Sequence, residues 1–106
     1  MTSEAVTRLV EAEIAGNWGR SNLHGVNLKD FLVPPKLRQY TDGFQPENQM
    51  SLWLVLEEDP VNKSGYKIIF DEQSGLFGLA VCGIEWDVRD VFIGYHGRFL
   101  DTLKGM

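Results

Sequence analysis

The fold is decided by the stretch MSLWLVL at residues 50–56, where six of the seven side chains are apolar. A half-buried strand alternates apolar and polar side chains, whereas a nearly continuous apolar run is typical of a strand that is buried on both faces. Residues 50–56 are therefore predicted to form a central strand of a sheet. The acidic residues Glu57, Glu58 and Asp59, followed by Pro60, end this strand.

Two further strands are predicted after this point, at residues 66–70 and 76–82. The segment between them, DEQSG at 71–75, has the length and the terminal glycine of a hairpin turn, so the two strands are expected to be antiparallel neighbours. Gly78 lies in the middle of the second of them. A glycine at such a position indicates a β-bulge or the close approach of another backbone.

A fourth strand is predicted within residues 86–95, around the apolar run VFI at 91–93. Its length fits an ordinary short strand. Gly94 and Gly97 are expected to bracket a turn after its apolar part, because glycine is common in turns.

The chain before the central strand is predicted to be mostly irregular. Residues 16–30 are rich in glycine and asparagine and are predicted to form a loop. Pro34 and Pro35 exclude a helix and favour extended chain. Residues 36–41 alternate weakly and are predicted to form an edge strand.

Two helices are predicted at the ends of the chain. The N-terminal one is predicted from apolar side chains that recur at helical spacing, which are Val6, Leu9, Val10 and Ile14. Thr2 or Ser3 can cap its first turn, and Gly16 offers a left-handed stop. The short C-terminal one is predicted from Phe99, Leu100 and Leu103 and ends at Gly105.

These elements predict an α+β fold, in which an antiparallel β-meander of three to five strands carries an N-terminal helix and a short C-terminal helix on one face. The length of 106 residues predicts a single domain over residues 1–106. We expect one shared core. Its predicted members are Leu52, Leu54, Ile68, Phe77, Leu79 and Phe92 from the strands and Val6, Leu9, Val10 and Ile14 from the first helix.

The composition limits the kind of partner that the protein can bind. The chain has 10 Lys and Arg against 15 Asp and Glu, and its formal net charge is −5 at pH 7. Because nucleic-acid binders need basic patches that displace counterions, neither nucleic acid nor an anionic membrane is expected as a partner. A basic protein is favoured, since opposite charge speeds encounter.

The sequence also bears on location and cofactors. No apolar stretch approaches the roughly 20 residues that cross a bilayer, and Glu4 and Arg8 interrupt the N-terminal segment early, so a cytoplasmic protein is expected. The single cysteine, Cys82, cannot form an internal disulfide and is predicted to be a small buried hydrophobe in its strand. No cofactor is expected, because phosphate-loop and dinucleotide-binding patterns do not occur in the sequence.

Two groups of acidic residues are candidate contacts for a basic partner, and a tryptophan lies within the second group. The predicted partner-binding residues are Glu57, Glu58, Asp59, Trp86, Asp87 and Asp90. Clustered carboxylates can also bind a hard cation, but the run at 57–59 lacks the alternating ligand spacing of a calcium loop, so no metal site is predicted. The alternative for this run is a solvated strand end.

The three tryptophans have different predicted roles. Trp53 lies within the apolar strand and is predicted to be a core residue. Trp18, in a polar loop, and Trp86, among acidic residues, are each either core residues or interface anchors. An exposed tryptophan beside carboxylates suits a partner that presents Lys or Arg, because charge and cation–π attraction act together.

No group of residues forms a catalytic motif, so an enzyme is the less favoured hypothesis and catalytic residues are not assigned. His24 and His96 are far apart in the sequence and lie in glycine-flanked segments. His96 is expected to be a turn residue. Cys82 with His96 could form a nucleophile and a base, but a thiol within a strand is usually inert.

Several segments of the chain resemble small bacterial proteins of uncharacterised function. These segments are WLVLEEDP at 53–60, GYKIIFD at 65–71, FGLA at 77–80 and GYHGRFLDTL at 94–103. In being short, acidic, α+β and rich in aromatic residues, the chain is also similar to the immunity proteins of bacterial toxin systems. The resemblance implies a bacterial cytoplasmic protein that inhibits a toxin, and it carries no functional residues over to this chain.

Three functional hypotheses follow from the sequence. The first is a non-catalytic protein-binding domain, for example an immunity-type inhibitor of a basic bacterial toxin. The second is a small enzyme or ligand-binding domain that uses carboxylates or His96 in a cleft. The third is self-association as a homodimer through an uncovered edge strand.

Overall fold

Within residues 1–21, 25–59, 64–82 and 90–106, which a computed structural model describes, the chain forms five strands and three helices. In chain order they are α1 (Ser3–Ile14), α2 (Leu28–Phe31), β1 (Leu32–Asp42), β2 (Gln49–Asp59), β3 (Ser64–Asp71), β4 (Leu76–Val81), β5 (Asp90–Gly97) and α3 (Phe99–Gly105). The predicted α+β fold, with an N-terminal helix, a β-meander and a short C-terminal helix, is confirmed.

Each strand pairs in antiparallel orientation with the next strand along the chain. A short parallel ladder, in which Tyr40 faces Asp90 and Asp42 faces Phe92, then joins β1 to β5 and closes the sheet into a barrel. Nothing in the sequence predicted this closure. The strand predicted at 36–41 is β1, but the ladder to β5 gives its last residues a second neighbour, so this part of β1 is not an edge.

β1 begins four residues earlier than predicted and runs through Pro34 and Pro35. The prolines fit because the pairing of β1 with β2 shifts between Leu32 and Lys36, and an irregular stretch of ladder does not need the missing N–H groups. The hydroxyl of Ser3 donates a 2.8 Å hydrogen bond to the Pro35 carbonyl. This bond ties the first turn of α1 to the same irregular stretch.

The strands bury two apolar clusters, one on each face. The larger cluster joins one face of the strands to α1 and α3, and it includes Val10, Val55 and Phe99. The smaller cluster has one residue from each of the five strands, namely Tyr40, Leu52, Ile69, Ala80 and Phe92. Such a ring of inward residues is what the interior of a small closed barrel requires.

The two clusters confirm one part of the predicted core and correct another. Residues 52–56 of β2 are all buried, as their continuous apolar character predicted, because alternate side chains serve the barrel interior and the helix-covered face. Leu52 and Phe92, however, belong to the barrel interior and not to the cluster beneath α1. The prediction of one shared core was therefore wrong for these two residues, and Leu54, although buried, belongs to neither cluster.

The helix ends follow local hydrogen-bonding rules. Thr2 caps α1, since its hydroxyl oxygen accepts a 3.1 Å hydrogen bond from the Ala5 N–H. The residue that adopts the left-handed conformation at the other end is Ala15, with φ of 48°, one position before the predicted Gly16. The predicted loop at 16–30 contains the start of α2, which Asn27 caps through a 2.9 Å bond from the Asp30 N–H.

The structure corrects two predictions near β5. Gly94 and Gly97 do not bracket a turn, because both lie within β5 and have positive φ angles of 136° and 94°. His96, between them in sequence, is an exposed strand residue and not a turn residue. The close approach predicted at Gly78 is confirmed, since a Cβ atom there would collide with the Gly94 carbonyl oxygen.

Candidate functional site

Polar side chains line the end of the barrel where β2 and β4 finish and β3 and β5 begin. Lys67 lies two residues before Ile69 on β3, so it points to the same, inner face, and it is 3% exposed. Its Nζ atom is 3.2 Å from Oδ2 of Asp90 and 3.1 Å from Sγ of Cys82. A buried ammonium group thus lies between a carboxylate and a thiol.

The ammonium group of Lys67 is held in its charged form. Burial alone would lower the pKa of Lys67, but the hydrogen bond to Cys82 and the charge of Asp90 outweigh burial and raise the pKa above its ordinary value. Lys67 is therefore a fixed positive charge at this end of the barrel.

A buried hydroxyl group completes the polar region. Tyr40 is 1% exposed, and its hydroxyl oxygen has no hydrogen-bond partner among the described residues. Burial, followed by the negative charges of Asp90 and Glu57, raises the pKa of Tyr40, so the phenol is neutral and both carboxylates are close to it. We call Tyr40, Glu57, Lys67, Cys82 and Asp90 the barrel-end cluster.

The structure brings together only some of the predicted partner-binding residues. Glu57 is paired opposite Lys67 in the sheet, and Asp90 forms the ion pair with Lys67. Glu58 instead packs against Gly65, and Asp59 is opposite Ser64 near the end of β2. Trp86 and Asp87, like the neighbouring residues 83–89, lie outside the described part of the chain.

Cys82 does not occupy the position that the sequence predicted. It follows the last residue of β4 and is half-buried, so it is neither within the strand nor fully enclosed. The sequence could not indicate its contact with Lys67, because the two residues are 15 positions apart and meet only through the pairing of β3 with β4.

A second candidate site lies on the loop between β1 and β2. Phe44 is 69% exposed there, yet the loop around it is ordered by hydrogen bonds. The Gly43 N–H donates to the Phe92 carbonyl at 2.9 Å, and the Phe44 N–H donates to Oδ1 of Asp42 at 2.9 Å. The Asn48 N–H donates to the Gln45 carbonyl at 2.8 Å. The loop therefore presents an apolar ring to solvent from a fixed backbone.

A second exposed aromatic ring lies near Phe44. The rings of Phe44 and Tyr95 both contact the ring of Phe92, with centroid separations of 6.4 Å and 4.8 Å. The Tyr95 hydroxyl donates a 2.5 Å hydrogen bond to Asp71. Burial, then this bond, raises the pKa of Tyr95, and the charge of Asp42 adds to the shift. We call Asp42, Phe44, Asp71 and Tyr95 the aromatic patch.

The third feature is an apolar groove between α1 and the first half of β1. It has a volume of about 390 Å³, and its walls include Val10, Pro34, Pro35 and Val55. Trp18 also lines it and remains 38% exposed. Trp18 is therefore not a fully buried core residue, and its role as an interface anchor stays a prediction. Trp53, by contrast, is a core residue as predicted.

The described residues contain no group of three or more His, Cys, Asp or Glu side chains that could hold a metal ion. His96 packs beside Gly105 of α3, and His24 lies outside the described residues. Within the same described ranges, no helix combines the length and the apolar character needed to cross a membrane.

Comparison with known proteins gives no information about the function of these sites. No protein-family model, curated protein or solved structure matches the chain. The assignment of function therefore depends on the geometry of the barrel-end cluster, the aromatic patch and the groove.

The sequence contains a local signal for one residue of the aromatic patch. Phe44 follows Asp42-Gly43 and precedes Pro46, so an aromatic side chain lies inside a turn, where it has few neighbours to bury it. Tyr95 had no comparable signal, because its exposure depends on the strand irregularity at Gly94.

Proposed function

We propose that the protein is a non-catalytic protein-binding domain and that a basic partner docks on the aromatic patch. The observation that carries this proposal is Phe44, an exposed aromatic ring on a loop that hydrogen bonds hold in one conformation. A rigid exposed aromatic loses little conformational entropy on binding, which is why such residues serve as interface anchors.

The charge of the protein supports a partner that presents Lys or Arg. The Asp42 carboxylate lies beside Phe44, the buried Asp71 holds the Tyr95 hydroxyl, and the chain has a net charge of −5. A cation that approaches the patch meets the exposed aromatic rings and the carboxylate of Asp42, so cation–π attraction and charge act in the same direction. The predicted acidic residues Glu57, Glu58, Asp59, Asp87 and Asp90 would add to the steering of such a partner, and Trp86 stays a predicted anchor.

An immunity-type inhibitor of a basic bacterial toxin is the specific form of this function that we favour, together with a cytoplasmic location. The supporting observations are the small size, the acidic charge and the resemblance of the sequence to such proteins. A toxin surface that binds nucleic acid is basic, so it has the charge that the aromatic patch requires.

The alternative is a ligand-binding domain or small enzyme. The apolar groove beside Trp18 favours ligand binding over catalysis, because its volume of about 390 Å³ falls in the range of small-molecule pockets and its walls are mostly apolar. A catalytic cleft around His96 has less support, since that residue packs against α3 at the surface.

The proposed function can be tested by capture of partners from the native host with matched variants. We expect Phe44→Ala to lose a basic protein that the wild type retains. Leu37→Ala is the control, because Leu37 is 51% exposed on β1 and is not part of the aromatic patch. A partner set that is the same for both variants would contradict the role of the patch. Retention of that protein by Phe44→Ala and its loss by Val33→Trp, which would fill the groove, would move the docking site from the aromatic patch to the groove.

A further inference from the structure

A polar pocket lies where the C-terminal end of α1 meets α3. It has a volume of about 380 Å³, which falls in the range of small-molecule pockets. Its walls carry three cationic side chains, two carboxylates and one apolar side chain, which are Arg20, Arg98 and Lys104, Glu13 and Asp101, and Leu100. We call these six residues the basic pocket. We propose that the basic pocket binds the phosphate group of a small organic phosphate, a function that is independent of the proposed docking of a partner at the aromatic patch.

The carboxylate of Glu13 is fully engaged by the protein itself. One of its oxygens accepts the 3.1 Å hydrogen bond from the Phe99 N–H, and the other accepts the 3.0 Å bond from Nη2 of Arg98. Glu13 is also mostly buried, with a side chain that is 19% exposed. It therefore anchors Arg98 at the wall of the basic pocket and has no free oxygen with which to engage Arg20 or Lys104 as well.

Arg98 keeps most of its hydrogen-bonding capacity for a ligand. Its side chain is 78% exposed, and its contact with Glu13 involves only Nη2. A guanidinium group carries five N–H donors in a planar fork that matches two oxygens of a phosphate group. Among the described residues, Nε and Nη1 of Arg98 have no acceptor, so Arg98 is held in place from one side and can bind an anion from the other.

The other two cations of the basic pocket have no internal use. Arg20 and Lys104 are exposed, and neither side chain forms a hydrogen bond or an ion pair with another residue that the structure describes. The remaining carboxylate, that of Asp101, acts on Arg98: the contacts with Glu13 and then the charge of Asp101 raise the pKa of Arg98. Three cations against two carboxylates leave the basic pocket with a net positive charge.

This local charge is opposite in sign to the charge of the whole chain, which is −5. A long polyanion such as nucleic acid would meet the acidic surface beyond the pocket and be repelled by it. A small anion is affected mainly by charges within the Debye length of about 8 Å at physiological salt, so it is attracted by the basic pocket. The charge distribution therefore favours a small ligand over a polymer.

The side chains of the basic pocket also indicate the chemistry of the anion. Arginine binds phosphate oxygens in pairs, and lysine adds a point charge. Leu100 is half-buried and forms the apolar part of the wall. An apolar group next to the phosphate would cover Leu100 and gain hydrophobic stabilisation, so an organic phosphate should bind more tightly than the inorganic ion.

The proposal can be tested by calorimetric titration of the full chain at constant ionic strength with three ligands. We expect phenyl phosphate to bind saturably at one site, and inorganic phosphate to bind several-fold more weakly. Benzoate, which has the same ring and a carboxylate, is the matched control and should also bind several-fold more weakly. The absence of saturable binding at millimolar phenyl phosphate would overturn the proposal. Equal affinity for benzoate would overturn the assignment of a phosphate group, and equal affinity for inorganic phosphate that of an organic ligand.

Variants that remove one cation locate the site. Arg20→Gln and Lys104→Gln should each weaken the binding of phenyl phosphate several-fold, because each deletes a charge of the basic pocket. Arg38→Gln and Lys36→Gln are the matched controls, since both residues are exposed on β1 and do not line the pocket. All four variants should keep the unfolding midpoint of the wild type. Equal weakening in all four would show attraction without a site and would contradict the basic pocket.

A variant with the opposite expected effect excludes damage to the fold as an explanation. Asp101→Asn removes the one carboxylate of the basic pocket that Arg98 does not hold in a hydrogen bond, so phenyl phosphate should bind several-fold more tightly. Glu47→Gln removes an exposed carboxylate elsewhere and should leave the affinity almost unchanged. A local loss of structure would weaken binding and cannot produce a gain. Unchanged or weaker binding by Asp101→Asn would overturn the electrostatic basis of the proposal.

Discussion

At the scale of single residues, the buried polar groups of the protein lie at the end of the barrel, where its apolar interior stops. Lys67, between Cys82 and Asp90, is buried on the same face as Ile69, although an ammonium group is rarely buried unless it is paired. The cost of desolvation is offset by the two contacts. The Tyr40 hydroxyl has no such compensation from the described residues.

This difference predicts the effect of Tyr40→Phe on stability. Removal of a buried hydroxyl without a partner should leave the free energy of unfolding unchanged or raise it by up to about 1 kcal/mol. Urea unfolding of the wild type and the variant measures the change. A loss of more than about 1 kcal/mol would mean that the hydroxyl has a stabilising partner.

At the scale of secondary-structure elements, α3 depends on α1 for its N-terminal cap. Arg98 precedes α3 and provides no side-chain cap. Glu13 of α1 replaces it, since one carboxylate oxygen accepts a 3.1 Å bond from the Phe99 N–H and the other accepts a 3.0 Å bond from Arg98. A carboxylate at a helix N-terminus also interacts favourably with the helix dipole.

This contact predicts a pH-dependent stability. Burial raises the pKa of Glu13, but the bonds from Phe99 and Arg98 outweigh burial and lower it below its ordinary value of 4.5. A lowered pKa in the folded state means that the contribution is complete above the ordinary pKa and is lost as the pH falls through the folded-state pKa.

We therefore expect Glu13→Gln to lower the free energy of unfolding by about 1 kcal/mol at pH 7, and we expect the difference to shrink in acid. Denaturant unfolding at several pH values measures it. Glu11→Gln is the control, because Glu11 lies on the exposed side of the same helix. A difference that stays constant down to pH 3 would contradict the electrostatic explanation.

The contact between β4 and β5 also belongs to the element scale. Gly78 faces the Gly94 carbonyl oxygen so closely that a Cβ atom would collide with it, and the ring of Phe92 would lie 3.1 Å from the same Cβ atom. Backbone cannot move aside as a flexible side chain can. The two strands approach this closely only because residue 78 has no side chain.

Gly78→Ala should therefore cost about 2 kcal/mol or more, through displacement of β5. Gly19→Ala is the matched control, since a Cβ atom there has no atom within 4 Å. Thermal unfolding of both variants tests the expectation. Equal melting temperatures would show that the strands can separate without loss of packing.

At the scale of the whole molecule, closure of the barrel changes the prospects for self-association. The ladder with β5 covers one side of β1 at its last residues. Among the described strands, none pairs with the same side of β1 in its first half. Pro34 and Pro35 occupy this first half and lack the N–H groups that an added strand would need. Pairing with a second copy is thus limited to a few residues.

The homodimer hypothesis consequently has a direct test. We expect sedimentation at increasing protein concentration to give mainly the mass of the monomer, 12.0 kDa, because the remaining edge is short and interrupted by prolines. A mass that doubles with concentration would support the homodimer. Loss of that dimer in Leu37→Pro would then locate it on β1.

The candidate sites were only partly predictable from the sequence. Glu57 and Asp90 were predicted as contacts for a partner, and the structure places both near Tyr40, with Asp90 also paired with Lys67. Neither Lys67 nor Tyr40 was a candidate, because each is an ordinary polar residue of a strand until the pairing of the strands is known. Phe44 had a local signal in its turn, whereas the neighbouring Tyr95 had none.

The sequence by itself determined the elements of this protein. Apolar periodicity specified α1 and α3, the continuous run at 50–56 specified a strand buried on both faces, and the turn at 71–75 specified the hairpin of β3 and β4. These features are encoded by neighbours in the chain, so local rules of periodicity, capping and turn chemistry suffice to predict them.

The tertiary structure alone decided how the strands close and which residues meet. The parallel ladder that pairs Tyr40 with Asp90 joins residues 50 positions apart in sequence, and no local pattern encodes such a contact. That closure divides the apolar side chains into two clusters and encloses Lys67 with Cys82 and Asp90. The physical reason is that burial, charge pairing and exposure depend on neighbours in space, which the order of residues along the chain does not specify.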